Sequence, residues 1–345
     1  MKVSIVIGRF QPVHNGHLEG LLRPAIEDCD ALVVLLGSSF SSRTFKNPFT
    51  WNKRAKMIVE ALEPKKPIHF MAIKDYPYSD ARWQTQIHKL VDEKIEQLEY
   101  EWNEKAEITL FGVDKDESTY YLRLFPQWNS KVIYAEDNGV NATTVRDLFF
   151  TGQDYRHLVP VTTYNFLEEW KNTNEGKAIF AEYDFTMKYR SHFDGLKYPP
   201  VFQTVDNVVL WRGHVLLVQR RQYPEKGLWA LPGGHLMQDK TLLASAVKEL
   251  QEKTNIWLND EHHPLAIDTS WVKGQRTFDH PGRSLRGRTI TTAFLWVIPD
   301  EYEVHTRAGD DAAKTKWFPL GTVLNKMDYH LFEDHQSIIA NLALR

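Results

Sequence analysis

GRFQPVHNGH, from Gly8 to His17, follows directly on the apolar run Val3 to Ile7. Val3, Ile5, Val6 and Ile7 predict a short buried strand; Gly8, Pro12 and Gly16 break it, and Leu18 to Ile26 has the spacing of an amphipathic helix. Strand, glycine-bearing turn and helix start together bring ring nitrogens and backbone N–H groups to the positive end of a helix, where a phosphate is stabilised. His14 and His17 are three residues apart, so on a first helical turn they face the same anion, and either ring can donate to a phosphoryl oxygen.

The rest of the chain bounds what surrounds this turn. Its 345 residues, against about 150 per average domain, predict two domains. A hydrophobic share of 42% and a charged share of 25% are those of a folded globular protein, and a net charge of -3 offers no general attraction for a polyanion. No nucleic-acid partner is therefore expected, and no basic recognition helix is visible. The single cysteine, Cys29, excludes an intrachain disulfide and a cysteine metal site and fits a cytoplasmic location. The start MKVSIVIGRF lacks the longer apolar core of a secretory signal, and no run of about 18 apolar residues occurs, so no membrane segment is expected. Homo-oligomerisation is left open.

Up to about Lys171, apolar β-rich runs (Val3 to Ile7, Ala31 to Leu36, Ile68 to Ile73, Ile108 to Phe111, Lys131 to Tyr134) alternate with helical segments, among them Trp51 to Ala61 and Asp80 to Glu104. Such alternation predicts a parallel sheet covered by helices, with the site at the carboxyl ends of the strands. Asn172 to Lys177 and Lys188 to Pro200 read as linker. Beyond it, Val201 to Val209 and Val215 to Gln219 flank Arg212-Gly213 as a hairpin, one helix spans Thr241 to Lys253, strands follow near Thr289 to Val297 and Lys316 to Phe318, and Asp328 to Leu344 looks helical. That second pattern is α+β.

GRFQPVHNGH resembles the G-R-F-Q-P-x-H-x-G-H signature of HxGH nucleotidylyltransferases, in the form carried by archaeal-type nicotinamide mononucleotide (NMN) adenylyltransferases. VNATTVR, Val140 to Arg146, resembles the second signature I-S-x-T-x-x-R, with Asn141 where serine is usual; GSSFSSRTFKNPFTWNKR, Gly37 to Arg54, resembles the G-S-x(6)-N-P-F-T segment. Physically, Asn141, Thr143 or Thr144 can cap a helix whose N–H groups face an ATP tail, and Arg146 supplies a fixed positive fork. The resemblance implies a Rossmann-like domain that binds ATP and NMN and makes NAD and pyrophosphate. It implies catalytic roles for His14, His17, Arg146 and Lys46, and substrate contacts at Gly8, Arg9, Phe10, Gly16 and Gly37. Trp83, in DARWQ, resembles a tryptophan that stacks on nicotinamide, and Asp75 is placed at a ribose hydroxyl or the amide. Arg54 reads as an exposed helix arginine, with a phosphate contact like that of Lys46 as the alternative. Another acceptor, such as phosphopantetheine, is the competing reading of the same transfer.

LWALPGGHLMQDKTLLASAVKELQEKTNI, Leu228 to Ile256, resembles the Nudix box G-x5-E-x7-R-E-U-x-E-E-x-G-U, aligned on Gly234. Lys240, Lys248, Lys253 and Asn255 replace its first glutamate, its arginine, its last glutamate and its glycine; Glu249 and Glu252 remain as metal ligands for Mg²⁺, with Asp239 a partial substitute for the lost carboxylate. In FDHPGRSLRGRTIT, Phe278 to Thr291, Arg283, Arg286 and Arg288 are placed on a diphosphate or adenine nucleotide, against the alternative of a solvated arginine-rich loop. The whole chain thus resembles the bifunctional NMN adenylyltransferase/Nudix hydrolase family. The implied fold is α/β: an N-terminal Rossmann-like parallel-sheet nucleotidylyltransferase domain (1–180), a linker (181–200) and a C-terminal α+β Nudix domain (201–345). The altered box leaves two implied roles for the second domain: a weak Mg²⁺-dependent ADP-ribose pyrophosphatase, or an inactive nucleotide-binding sensor or structural module.

Overall fold

The computed structural model describes residues 1–114, 117–134, 140–258, 268–309 and 311–344. Its contacts gather into two compact units, Met1–Ala181 and Glu182–Arg345. Among the described residues, no helix is long and apolar enough to cross a membrane.

In the first unit, strands β1 (Lys2–Gly8), β2 (Ala31–Leu36), β3 (Ile68–Ala72), β4 (Glu107–Asp114) and β5 (Asn129–Tyr134) pair in parallel in the order β3-β2-β1-β4-β5. Every residue of β2 and Val3 to Ile7 of β1 are buried, which is why β2 reads as an unbroken apolar run and β1 as one interrupted only by Ser4, rather than as alternating strands. Strand order reverses at β1, so its carboxyl end and that of β4 flank the crevice in which open α/β sheets bind ligands. GRFQPVHNGH starts at that point.

The helix after β1 is not uniform. It begins as α1 (Asn15–His17), passes through a π-helical stretch Leu18–Leu22 in which the Arg23 N–H bonds the Leu18 carbonyl, and resumes as α2 (Arg23–Glu27). Pro24, at the start of α2, has no N–H to give a carbonyl one turn back, and the wider turn absorbs the defect. Helices α3 (Trp51–Leu62), α4 (Asp80–Trp102), α5 (Ala142–Phe150), α6 (Val161–Trp170) and α7 (Asn174–Ser191) follow. Along α4, Ile87, Val91, Ile95 and Leu98 recur at helical spacing and pack on Val3, Ile5, Val33 and Leu35.

Asn172 to Lys177 is not linker. Gly176 N–H donates to the Thr173 hydroxyl at 3.0 Å, and the Trp170 indole N–H donates to Glu175 at 3.4 Å, so the polar residues here start α7. Residues that cap a helix and residues that solvate a linker have the same composition, so composition alone does not separate the two.

The second unit contains β6 (Val201–Trp211), β7 (His214–Arg220), β8 (Trp229–Ala230), β9 (Gly233–His235), α8 (Leu242–Thr254), β10 (Trp257–Leu258), β11 (Val272–Phe278), β12 (Arg288–Val297), β13 (Val304–His305), β14 (Ala312–Pro319), α9 (Leu320–Lys326) and α10 (His335–Ala343). The main sheet runs β11-β12-β6-β7-β14, parallel only between β6 and β12, with β8 on β7 and β9 on β6. Arg212 and Gly213, at φ 44° and 73°, make the expected two-residue turn. Ala246 and Leu250 of α8 bury against Val205, Val209, Phe294 and Trp296. The final helix starts only at His335 rather than at Asp328. Trp229 N–H bonds the His330 carbonyl at 2.8 Å and Phe332 N–H the Trp229 carbonyl at 2.9 Å, so pairing with β8 captures that segment in extended form.

Candidate active site

At the end of β1 the backbone turns through Phe10, which sits at φ 50° and is buried. Its ring fills the space above Gly8; a Cβ there would lie 2.7 Å from the ring, so only glycine lets Phe10 fold back. Phe10 in turn supports the His17 ring, at 4.8 Å between centroids. His14 is the N-cap of α1, its Nδ1 accepting the His17 N–H at 3.3 Å, and the two imidazoles stack with centroids 3.6 Å apart. The pair is thus one preorganised unit, and Gly16 keeps its backbone close to the His14 ring.

Three further side chains hold this turn. The Gln11 carboxamide donates to the Phe49 carbonyl at 2.9 Å and accepts the Phe49 N–H at 3.0 Å, clamping GRFQP to NPFT. Arg43 donates to the same Phe49 carbonyl at 2.6 Å. Arg54 is the third, and it is fully buried rather than exposed: it donates to the Arg9 carbonyl at 2.6 Å, the Gly37 carbonyl at 2.7 Å and the Ser39 hydroxyl at 2.9 Å. The ends of β1 and β2 offer carbonyls that no strand pairs, and a guanidinium is the side chain with enough donors to satisfy them together. Helical spacing gave no warning, because an arginine on the inner face of α3 looks like any polar break in an apolar stripe.

Arg146 is brought to the same place. It is buried, donating to the Gln11 carbonyl at 2.6 Å and the Thr143 hydroxyl at 3.1 Å, and burial, with Arg9 nearby, pushes its pKa down to about 10. Asn141 caps α5, accepting the Thr144 N–H at 2.9 Å and its hydroxyl at 3.3 Å. Gly37 lies against the Arg9 side chain, and Lys46 is half-buried in the loop between β2 and α3. Asp75 binds Ser38, accepting its N–H at 3.1 Å and its hydroxyl at 2.5 Å. Trp83 is half-buried against the core, 6.2 Å from the Tyr121 ring and 6.0 Å from the Phe125 ring.

In the second unit, Glu249 is buried on α8 and faces the backbone of Gly234, where a Cβ would lie 2.4 Å from its carboxylate. Asn255 takes the left-handed C-cap position of α8 at φ 39°, which explains how it replaces the glycine of the box. The arginines do not form a solvated loop. Arg283 is buried in a two-bond pair with Asp334, at 2.9 and 3.1 Å; burial opposes its charge, but Asp334, Glu333 and Asp206 hold its pKa above the ordinary value. Arg286 lies 3.7 Å from Glu333, and Arg288 donates to the Asp279 carbonyl. Nearby, Leu231 N–H donates to His335 Nδ1 at 2.8 Å, and burial pushes the His335 pKa down to about 3. Asp206, Glu333, Asp334 and His335 are missed by motif reading, because their partners lie far away in sequence.

Residues 5–148 match the cytidylyltransferase-like family model and residues 201–342 the NUDIX domain model. A solved bifunctional NMN adenylyltransferase/ADP ribose pyrophosphatase from Francisella tularensis, complexed with AMP and a manganese ion, is 32% identical at a TM-score of 0.86, covering 99% of this chain and 98% of that one. The chain belongs to this bifunctional family. Its first half is also 33% identical to the nicotinamide/nicotinic acid mononucleotide adenylyltransferase of Acinetobacter baylyi, over 52% of this chain and 92% of that protein. A nicotinamide-nucleotide adenylyltransferase from Thermococcus onnurineus is 27% identical over 52% of this chain and 88% of its own length.

Both halves of the bifunctional family generally depend on a divalent metal, and the donor set on α8 tests that for this member. Lys253 Nζ stands 3.8 Å from Glu249 Oε2 and 2.7 Å from Asp311 Oδ1, in a largely buried position; Glu252 is 3.4 Å from Lys248 and half exposed. Lys240, 3.8 Å from Asp239, sets a cation beside the carboxylate expected to substitute there. A dication about 4 Å from an ammonium is opposed by roughly 8 kcal/mol at an effective dielectric near 20. The residues present do not fit a carboxylate-bound divalent ion on this helix.

Proposed function

We propose that this chain transfers the adenylyl group of ATP to the 5′-phosphate of NMN, giving NAD and pyrophosphate. The observation that carries the reading is the convergence, at the carboxyl end of β1, of the stacked His14–His17 pair and buried Arg146 through the Gln11 backbone. An NMN phosphate oxygen attacks the α-phosphorus in line; the bond to the bridging oxygen breaks and pyrophosphate leaves. No covalent enzyme intermediate is needed, so the work is positioning and charge stabilisation.

His14 and His17 donate to the α-phosphate region as charge builds on its oxygens. Arg146 and Lys46, with Arg9, hold the β- and γ-phosphates, and the capped start of α5 at Asn141, Thr143 and Thr144 adds its N–H groups. Gly8, Phe10, Gly16 and Gly37 let the backbone approach the nucleotide. When bound together with ATP, Mg²⁺ would supply further charge neutralisation. Trp83 offers an indole face to the nicotinamide cation, and Asp75, through Ser38, orders the loop beside it. For the second unit the ligand class is ADP-ribose, a nucleoside diphosphate sugar, with Arg286 and Arg288 near its phosphates and Arg283 locking Asp334 in place.

Incubating the protein with Mg²⁺-ATP and NMN is expected to give NAD and pyrophosphate in equal amounts. Transfer to phosphopantetheine but not to NMN would replace this reading with the competing acceptor.

A further inference from the structure

Five charged positions define the Nudix box: the first glutamate, the arginine and three glutamates of the helix, together carrying a formal charge of -3. In this chain the same positions are Lys240, Lys248, Glu249, Glu252 and Lys253, together +1. That swing of four charges equals what two dications would bring. A box of carboxylates repels a diphosphate until metal neutralises it, whereas this one is neutralised by its own lysines.

The geometry shows which lysine matters most. Lys253 is largely buried, a position lysine rarely takes unless paired. Its ammonium lies between Glu249 on its own helix and Asp311 just ahead of β14, 58 residues further on. Glu249 is itself held against the Gly234 backbone, which leaves its carboxylate little freedom to turn elsewhere. Lys248 and Glu252, by contrast, pair on the half-exposed face of α8.

We propose that the Lys253 ammonium is a built-in substitute for the divalent cation, so that the second unit holds a nucleoside diphosphate sugar without a metal and without cleaving it. The ligand class rests on the ADP-ribose reading above; the cation substitution does not. Two consequences follow from the charge count. Ligand binding is independent of divalent ions, and one substitution, Lys253→Glu, creates a metal site in which the introduced carboxylate joins those of Glu249 and Asp311.

Electron paramagnetic resonance of Mn²⁺ added to the full-length protein, with no nucleotide present, tests the substitution. The wild type is expected to leave the free Mn²⁺ signal at full amplitude, and Lys253→Glu to remove one equivalent. Unchanged NAD formation by the first unit and an unchanged melting profile confirm that the variant is folded. Should that variant not fold, Lys253→Gln, which removes the ammonium alone, is expected to show weaker Mn²⁺ uptake through the same carboxylates. Uptake by the wild type that Glu249→Gln abolishes would overturn the proposal, as would a folded variant that gains none. Calorimetric titration with ADP-ribose is expected to give the same affinity in EDTA and in Mg²⁺, with no AMP released; Mg²⁺-dependent AMP release lost in Glu249→Gln would overturn it. Absence of ADP-ribose binding in both buffers would overturn the ligand class alone, with the Mn²⁺ result still judging Lys253.

Discussion

At the scale of single residues, the site depends on side chains that touch no substrate in the proposed reaction. Arg54 closes three acceptors at the ends of two strands, and removing it strands them in a buried place. Arg54→Met is expected to cost on the order of 3 kcal/mol, since hydrogen bonds to charged groups are worth more than neutral ones and their loss leaves buried oxygens unsatisfied; urea denaturation measures it. Arg146 carries a different prediction. Burial, with Arg9 second, brings its pKa down to about 10, so it is charged below that value and loses its charge as pH rises through it. The KM for ATP is therefore expected to stay level between neutral pH and about pH 9 as far as Arg146 is concerned, and to climb above about pH 10; steady-state kinetics across that range checks it. Motif spacing singles out His14, His17 and Arg146 because each lies in one of two short strings, and the fold brings both strings to the end of β1. It misplaced Arg54, since whether an arginine faces water or a strand end is decided by the sheet and not by the helix that bears it.

Among the elements, helix starts fixed by an adjacent capping residue are legible in the sequence, and those fixed by bonds outside the helix are not. Thr50, Asn141 and Thr241 each cap a helix that begins on the next residue, a signal contained in a few adjacent positions. The opening of α7 and the segment before α10 were misread because their conformations are set by bonds to Trp170 and Trp229. Asn141 stands where the family pattern has serine, and both side chains can accept from the third residue of the helix. Asn141→Ser is thus expected to be nearly neutral, whereas Asn141→Ala should lower stability by about 1 kcal/mol. Thermal melts of the two variants separate these outcomes.

Across the whole molecule, the two units are built from opposite sheet logics. The parallel sheet of the first buries its central strands on both faces and opens a crevice where strand order reverses; the mixed sheet of the second carries a buried charge network among Asp206, Arg283, Glu333 and Asp334. Glu182, at the start of the second unit, is one point where pH acts on the fold. Its burial pushes the pKa up to about 7, against the opposing pull of the Glu225 N–H and Arg220. The folded state then binds a proton that the unfolded chain has released, so this group's contribution to stability is intact below about pH 4.5 and declines as pH rises through 7. A shift of that size corresponds to roughly 3 kcal/mol, and Glu182→Gln is expected to raise the melting temperature at pH 8 while changing it little at pH 5. The central claim concerns the first unit: an adenylyl transfer to NMN driven by the stacked histidines at the end of β1. The most direct test is the turnover number for NAD formation by His17→Ala, measured beside its melting temperature. The account predicts a loss of roughly a hundredfold or more with the melting temperature unchanged; a folded His17→Ala protein that forms NAD at close to the wild-type rate would contradict it.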